Sequence, residues 1–175
     1  MKQLAIISAI ISSLVMILLW VLGFFTTLII QNGHEGGYEL AGYVHEGPYK
    51  TLGKSFERLD STAESLGLHM TDRVGLYYNN PNDVHQDSLL SFVAVVMAEE
   101  GFAIGNMDLA DLMQESIPYG QAIYIDFPSD QPLSHLIGPL RCYPLLNDRA
   151  EAEGWVSSTV FELHGSDYIR YVMLR

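Results

Sequence analysis

The chain has 175 residues, which is enough for one domain with a substantial core. Its 21 acidic and 9 basic residues give a formal net charge of −12, which argues against a nucleic-acid partner because phosphate binding needs a basic surface. The single cysteine, Cys142, excludes an intrachain disulfide and any metal site built from several thiolates.

An apolar segment without a formal charge runs from Leu4 to Ile30. A helix of this length, at about 1.5 Å per residue, exceeds the roughly 30 Å hydrocarbon core of a bilayer. A cleavable signal peptide is the alternative, but its apolar region usually has only about 7–15 residues and ends at a small-x-small cleavage site. The sequence therefore predicts an uncleaved transmembrane anchor with a short tail at residues 1–32.

The charges beside this segment give its expected orientation. Lys2 is the only basic side chain before the segment, and the next is Lys50. The positive-inside tendency then predicts a single-pass membrane protein with its domain on the extracytoplasmic side, which is the periplasm in a bacterium. Residues 33–37, with three glycines, are predicted to be a flexible linker to a domain at residues 38–175.

The first half of this domain has alternating and helical patterns in turn. Tyr38–Val44 reads as a strand, and apolar residues at steps of three and four predict an amphipathic helix over Tyr49–Leu66. Val74–Tyr78 and Leu90–Met97 are predicted to be strands.

The second half repeats this order. Gln121–Phe127 is a predicted strand, and Leu133–Glu153 is a helical region that two internal prolines are expected to kink or divide. Val156–His164 and Tyr168–Leu174 are predicted to form a closing hairpin. The segment that joins the halves contains a predicted short helix at Asp108–Glu115.

These elements form a strand–helix–strand–strand unit that occurs twice. They predict an α+β domain with an antiparallel sheet, two helices on one face and pseudo-twofold symmetry, preceded by one transmembrane helix. The other face of the sheet, or the seam between the halves, would be available as a concave ligand site.

Three motifs resemble the GyrI-like small-molecule-binding family, which includes effector-binding domains of multidrug-responsive regulators. They are Gly47-Pro48-Tyr49 before the first helix, Gly75-Leu76-Tyr77-Tyr78-Asn79-Asn80-Pro81, and the apolar–Glu–apolar strand Phe161-Glu162-Leu163. The resemblance implies a duplicated fold with a ligand cleft between the halves, in which some members bind lipophilic cations against a buried glutamate and others resemble hydrolases of reactive toxins.

An amino-terminal anchor on such a domain is also similar to the testis-expressed endoplasmic-reticulum-phagy receptor group. The chain departs from the family pattern at His164, where the family usually has a tyrosine two residues after the glutamate. It also has no helix-turn-helix segment, so the resemblance does not extend to a role as a regulator.

Side-chain alternation along the strands gives the expected faces. If Phe161 and Leu163 pack under the helices, Glu162 and His164 face the opposite side of the sheet. Matching the two halves puts Glu162 opposite Gly75, which leaves room for the carboxylate. The same alternation gives three core residues in the first half, Val74, Leu76 and Tyr78.

A carboxylate surrounded by aromatic rings is suited to a small apolar or cationic molecule, because aromatic faces add about 0.5–2 kcal/mol for a bound cation. The predicted ligand-binding residues are Glu162, Tyr77, His164 and Trp155.

An internal ion pair is the alternative role for Glu162. A three-residue loop at residues 165–167 would place Arg170 beside it, whereas a two-residue loop would place Ile169 there and leave the carboxylate free.

Two other functions remain open at this point. One is hydrolysis of a reactive electrophile with Glu162 activating water, and the other is a non-catalytic membrane adaptor that binds a protein partner. An enzyme is the less favoured reading, because the sequence has no nucleophile motif, phosphate-binding loop or dinucleotide fingerprint. The six histidines show no metal-ligand spacing, so we expect neither a metal nor a cofactor.

Overall fold

The computed structural model describes residues 2–66, 72–97, 112–155 and 159–175. It begins with helix α1, Lys2–Val21, which is long and apolar enough to cross a membrane and whose residues are not buried. The helix ends well before Ile30 because Gly23 takes a positive φ of 78°. There the Phe24 N–H donates to the Leu19 carbonyl and the Gly23 N–H to that of Trp20, the pairing of a Schellman motif.

The described part of the domain contains eight strands and two further helices. The strands are β1 Gln31–Glu35, β2 Tyr38–Glu46, β3 Arg73–Tyr77, β4 Leu90–Val96, β5 Met113–Ile117, β6 Gly120–Pro128, β7 Thr159–His164 and β8 Tyr168–Leu174. The helices are α2, Leu52–Ser65, which follows a 3-10 turn at Tyr49–Thr51, and α3, Ser134–Ala152. A second 3-10 turn, Gln86–Ser88, precedes β4.

All strand pairs in the described residues are antiparallel, in one curled sheet of order β1-β6-β8-β7-β3-β4-β2-β5. Exchanging β1, β2, β3 and β4 with β5, β6, β7 and β8, respectively, gives the same order read from the other end. The sheet therefore has a pseudo-twofold axis. The axis passes through the β3–β7 pair, where Gly75 lies opposite Glu162. The predicted α+β fold with a duplicated unit is confirmed.

Each half has one strand more than the predicted unit. This extra strand pairs with a strand of the other half. β1 pairs with β6, and β5 pairs with β2. Residues 33–35 of the predicted linker therefore belong to a strand, and only residues 36–37 make the turn to β2. The helix predicted at 108–115 is wrong for residues 113–115, which lie in β5, and its first four residues lie outside the described part.

Helix α3 runs through Pro139 and Pro144 as one element, so of the two expected effects, a kink or a division, the division does not occur. Each proline removes one backbone donor, but the helix is held against the sheet by a buried stripe. Ile137, Cys142 and Leu146 form part of this stripe, and each is at most 5% exposed.

The sheet buries side chains on both faces. The helix-bearing face carries one cluster under α2 and one under α3. The other face, enclosed by the curl of the sheet, carries a third cluster: Leu40, Val74, Leu76, Phe92, Ala94, Ile117, Ala122, Phe161, Leu163, Val172 and Leu174. The prediction that Phe161 and Leu163 pack under the helices is therefore wrong, because the curled sheet forms a core of its own.

Candidate functional site: a buried carboxylate at the seam of the two halves

Glu162 lies in the middle of β7, between Gly75 of β3 and Tyr171 of β8. The residue is only 6% exposed. Its side chain points to the helix-bearing face, where the Tyr143 hydroxyl of α3 donates a hydrogen bond of 2.9 Å to its Oε1. The carboxylate thus lies on the predicted seam, but under the helices and not on the opposite face.

Tyr77 also points to this face, and its hydroxyl lies beside Gly75. A Cβ atom on Gly75 would lie 3.1 Å from the Tyr77 hydroxyl oxygen and 3.6 Å from Cζ of Phe56. Tyr49 packs edge-on against Tyr77 with ring centroids 4.9 Å apart. The glycine therefore leaves room for the carboxylate and the phenol together.

Tyr78, which was expected in the core, is 46% exposed, so that expectation is wrong.

Three rings, which we call the lid, pack together beside the carboxylate: Phe56 of α2, His164 of β7 and His135 of α3. The His164 ring lies 5.3 Å from Phe56 and 5.6 Å from His135, centroid to centroid. Its Nε2 is 3.4 Å from Oε2 of Glu162, within ion-pair distance but outside hydrogen-bond geometry. The lid joins both helices to the central strand pair.

The electrostatics of the site follow from burial and from the Glu162 charge. Burial first, and then the Glu162 charge, raise the pKa values of Tyr143 and Tyr77 well above the usual value of tyrosine. The same two causes raise the pKa of Tyr171. These phenols keep their protons at neutral pH and can donate hydrogen bonds to an anion.

The pKa of His135 is lowered, mainly by burial and then by the charge of His164, while Glu162 opposes the shift. The His135 ring is therefore favoured in its neutral form beside the carboxylate.

Arg170 does not pair with Glu162. Both predicted registers of the closing hairpin are wrong, because neither Arg170 nor Ile169 is the residue opposite Glu162. Glu162 lies opposite Tyr171, and Arg170 lies opposite Leu163 on the other face. There its guanidinium contacts Asp126 at 2.7 and 3.0 Å and Glu35 at 2.6 Å. Among the ion pairs of the described residues, Glu162 has His164 as its partner and no lysine or arginine.

The remaining predicted residue, Trp155, packs against the cluster under α3 together with Val160. Its indole Nε1 is buried without a hydrogen-bond partner in the described structure. Four site residues were missed from the sequence: Tyr143, Tyr171, Phe56 and His135. The first three were hidden because an aromatic residue on an apolar stripe reads as core.

The seam beside Glu162 is filled by these side chains. An open cleft of about 360 Å³ lies elsewhere, at the end of α1, where Trp20, Phe25 and Gln131 are among its lining residues. Within the described ranges, no group of three or more histidine, cysteine or acidic residues is placed to hold a metal ion.

No family model matches the sequence, and no curated protein matches it. Several solved structures resemble this chain, among them the following two. The cryo-EM structure of EcmrR in an EcmrR–DNA complex superimposes with a TM-score of 0.54 at 14% identity, over 99% of this chain and 66% of that chain. The crystal structure of integron cassette protein VCH_CASS2 from Vibrio cholerae gives a TM-score of 0.49 at 13% identity, over 85% of this chain and 98% of that chain.

At this identity the likeness to EcmrR is one of fold.

Proposed function

We propose that this chain is a membrane-anchored, GyrI-like binding domain for a small apolar or cationic molecule held at Glu162 between its two halves. The observation that supports this proposal is a carboxylate, 6% exposed, that has no lysine or arginine partner in the described residues and is surrounded by aromatic rings. Helix α1, whose length and apolar composition suit a membrane span, is proposed as the uncleaved anchor, with the domain on the extracytoplasmic side.

The chemistry of the site favours a cation. A buried carboxylate costs several kcal/mol unless it is paired and hydrogen-bonded. Tyrosine hydroxyls supply hydrogen bonds here, but they bring no positive charge. A lipophilic cation between the rings of Tyr77, Tyr143 and His164 would supply that charge, and each aromatic face would add about 0.5–2 kcal/mol.

A guest needs space that the closed seam does not offer. The lid is the part that can move, because the His135 side chain is partly exposed at the helix surface and its contact with His164 is between rings. Rotation of His135 or Phe56 would open a path to Glu162 from between the helices. The apparent affinity is then reduced by the fraction of time that the lid is closed.

The test is titration of the full chain in detergent micelles with tetraphenylphosphonium and rhodamine 6G, followed by calorimetry and fluorescence. Glu162→Gln keeps the shape of the side chain and removes its charge, so we expect binding about tenfold weaker or more. Glu39→Gln, at an exposed position on β2, is the matched control and should bind like the wild type. Equal affinity of wild type and Glu162→Gln for both cations would remove the proposal.

The filled seam supports a second function, that of an adaptor whose domain presents a surface to a protein partner. In that case Glu162 and the tyrosines are a closed polar core that holds the two halves together. Wild-type protein would then bind neither cation. Glu162→Gln would change the free energy of unfolding and would have no effect on binding.

A further inference from the structure

The residues that follow α1 are hydrogen-bonded to α3. The guanidinium of Arg141 donates to the carbonyl oxygens of Gly23 at 2.6 Å and Thr26 at 2.7 Å. Gln131, just before α3, donates to the Thr26 hydroxyl at 3.3 Å. A positive charge at the carboxyl end of a helix is also favoured by the helix dipole. The first half of α3 is therefore held beside the residues that follow α1.

An exposed apolar stripe, defined as Leu136 and Leu140 together with Leu133 at the N-cap just before the helix, lies at this same end of α3. The side chains of Leu133, Leu136 and Leu140 are 56%, 57% and 63% exposed, and the four-residue step places Leu136 and Leu140 on one helix face. Further along the helix this face becomes polar at Asn147. A single exposed leucine is ordinary, but an aligned set confined to one end of a helix indicates a contact surface.

The position of the bilayer surface follows from aromatic residues near the end of α1. Trp20, Phe24 and Phe25 are 71%, 40% and 54% exposed, and such residues concentrate at membrane–water interfaces. Phe25 and Gln131 line the same cleft, which places the start of α3 at the level of these rings. The apolar stripe therefore begins where the bilayer surface is expected.

We infer that the stripe rests on the surface of the bilayer that α1 spans, so that α3 is an interfacial helix and the domain is docked on lipid. This inference depends on the anchor in the proposed function. With a formal net charge of −12 the chain would be repelled by anionic lipid, so the docking is apolar and suits zwitterionic headgroups. Since α3 also carries Tyr143, docking holds one wall of the Glu162 site at the interface, where lipophilic molecules concentrate.

The experiment places a fluorescent nitrobenzoxadiazole probe on single cysteines in the full chain, reconstituted in phosphatidylcholine nanodiscs that contain nitroxide-labelled lipid. The probe positions are Leu136→Cys, Leu140→Cys, Asn147→Cys and Phe25→Cys. The background is Cys142→Ala, which removes the single native thiol, so that each variant carries one cysteine at the probe position.

We expect strong quenching by shallow nitroxides at positions 136 and 140, and several-fold weaker quenching at position 147 on the same helix face. Quenching at 140 no greater than at 147 would overturn the inference while the anchor stands, provided that position 25 is quenched. No quenching at position 25 would instead remove the anchor, and the inference with it.

A second copy of the chain is the other occupant that the stripe would fit. Energy transfer between labelled copies at position 140, rising with protein concentration and present in lipid-free micelles, would also overturn the inference.

Discussion

The Glu162 carboxylate is buried among side chains that are buried themselves. None of those that the structure describes is a lysine or arginine that would balance its negative charge. Tyr143 donates to one carboxylate oxygen, and His164 lies 3.4 Å from the other. The elevated pKa values of the surrounding phenols mean that they remain donors over the whole physiological range. The site is therefore pre-organised around a negative charge, which is the condition for preferring a cation.

The contact between α3 and β8 at Gly138 depends on the absence of a side chain. A Cβ atom there would overlap the hydroxyl oxygen of Tyr171. We expect Gly138→Ala to lower the free energy of unfolding by about 1–3 kcal/mol through overpacking, measured by urea unfolding in micelles. Gly53→Ala in α2 is the control, because nothing lies within 4 Å of its Cβ. It should raise stability by about 0.5–1 kcal/mol, and equal losses in both variants would contradict this account of the contact.

The lowered pKa of His135 gives stability a pH dependence with a defined sign. Burial, the largest cause, favours the neutral ring in the folded protein, while the unfolded chain takes up a proton near the usual pKa of 6.5. Stability from the neutral ring is present above about pH 6.5 and is lost as the pH falls through the lowered pKa. His135→Gln should therefore lose less stability than wild type between pH 7.5 and pH 5.

Thermal unfolding at a series of pH values measures this difference. The control is His85→Gln, at a side chain that is 79% exposed, which should follow the wild type. A wild-type loss that persists unchanged in His135→Gln would show that another group carries the pH dependence.

At the scale of elements, β1 is fixed to the sheet by Arg170 of β8. Its guanidinium joins Glu35 of β1, whose side chain is 8% exposed, to Asp126 of β6. Arg170→Met would leave the Glu35 charge buried and unpaired, which typically costs about 3–5 kcal/mol. Arg73→Met is the matched control, because its pair with Asp60 has side chains 45% and 37% exposed and is worth about 0–1 kcal/mol. Similar unfolding free energies for the two variants would show that Arg170 does not hold β1.

The elements that could be predicted are those whose pattern is local. The β2 strand, the stripe of α2 and the β7–β8 hairpin each show their own periodicity, and the structure has them within a few residues of the expected bounds. β1 has the polar sequence QNGHE, and its partner β6 begins 85 residues after it along the chain. Its strand conformation comes from backbone pairing with the other half, which no local pattern records.

Helix α3 is not divided at Pro139 and Pro144 for a related reason. Local propensity favours a break at each proline, but packing of α3 on β6 and β8 outweighs the lost hydrogen bonds. Tertiary contacts therefore determine the conformation of both β1 and α3.

At the scale of the whole molecule, the pseudo-twofold axis determines where the site lies. It passes between Gly75 and Glu162, so one half contributes a charge and the other contributes space. The matching of halves could be read from the sequence, which is why the pair was predicted. The face could not, because a curled sheet buries apolar residues on both sides and alternation does not say which side carries the helices.

The charge preference of the Glu162 site is tested most directly by varying the charge on both partners. Calorimetry would compare tetraphenylphosphonium with neutral triphenylphosphine oxide, each titrated into wild type and Glu162→Gln. Wild type should prefer the cation by about tenfold or more, and Glu162→Gln should lose that preference. An equal preference in both proteins, or no binding of the cation by wild type, would contradict the proposal that Glu162 holds a cationic guest.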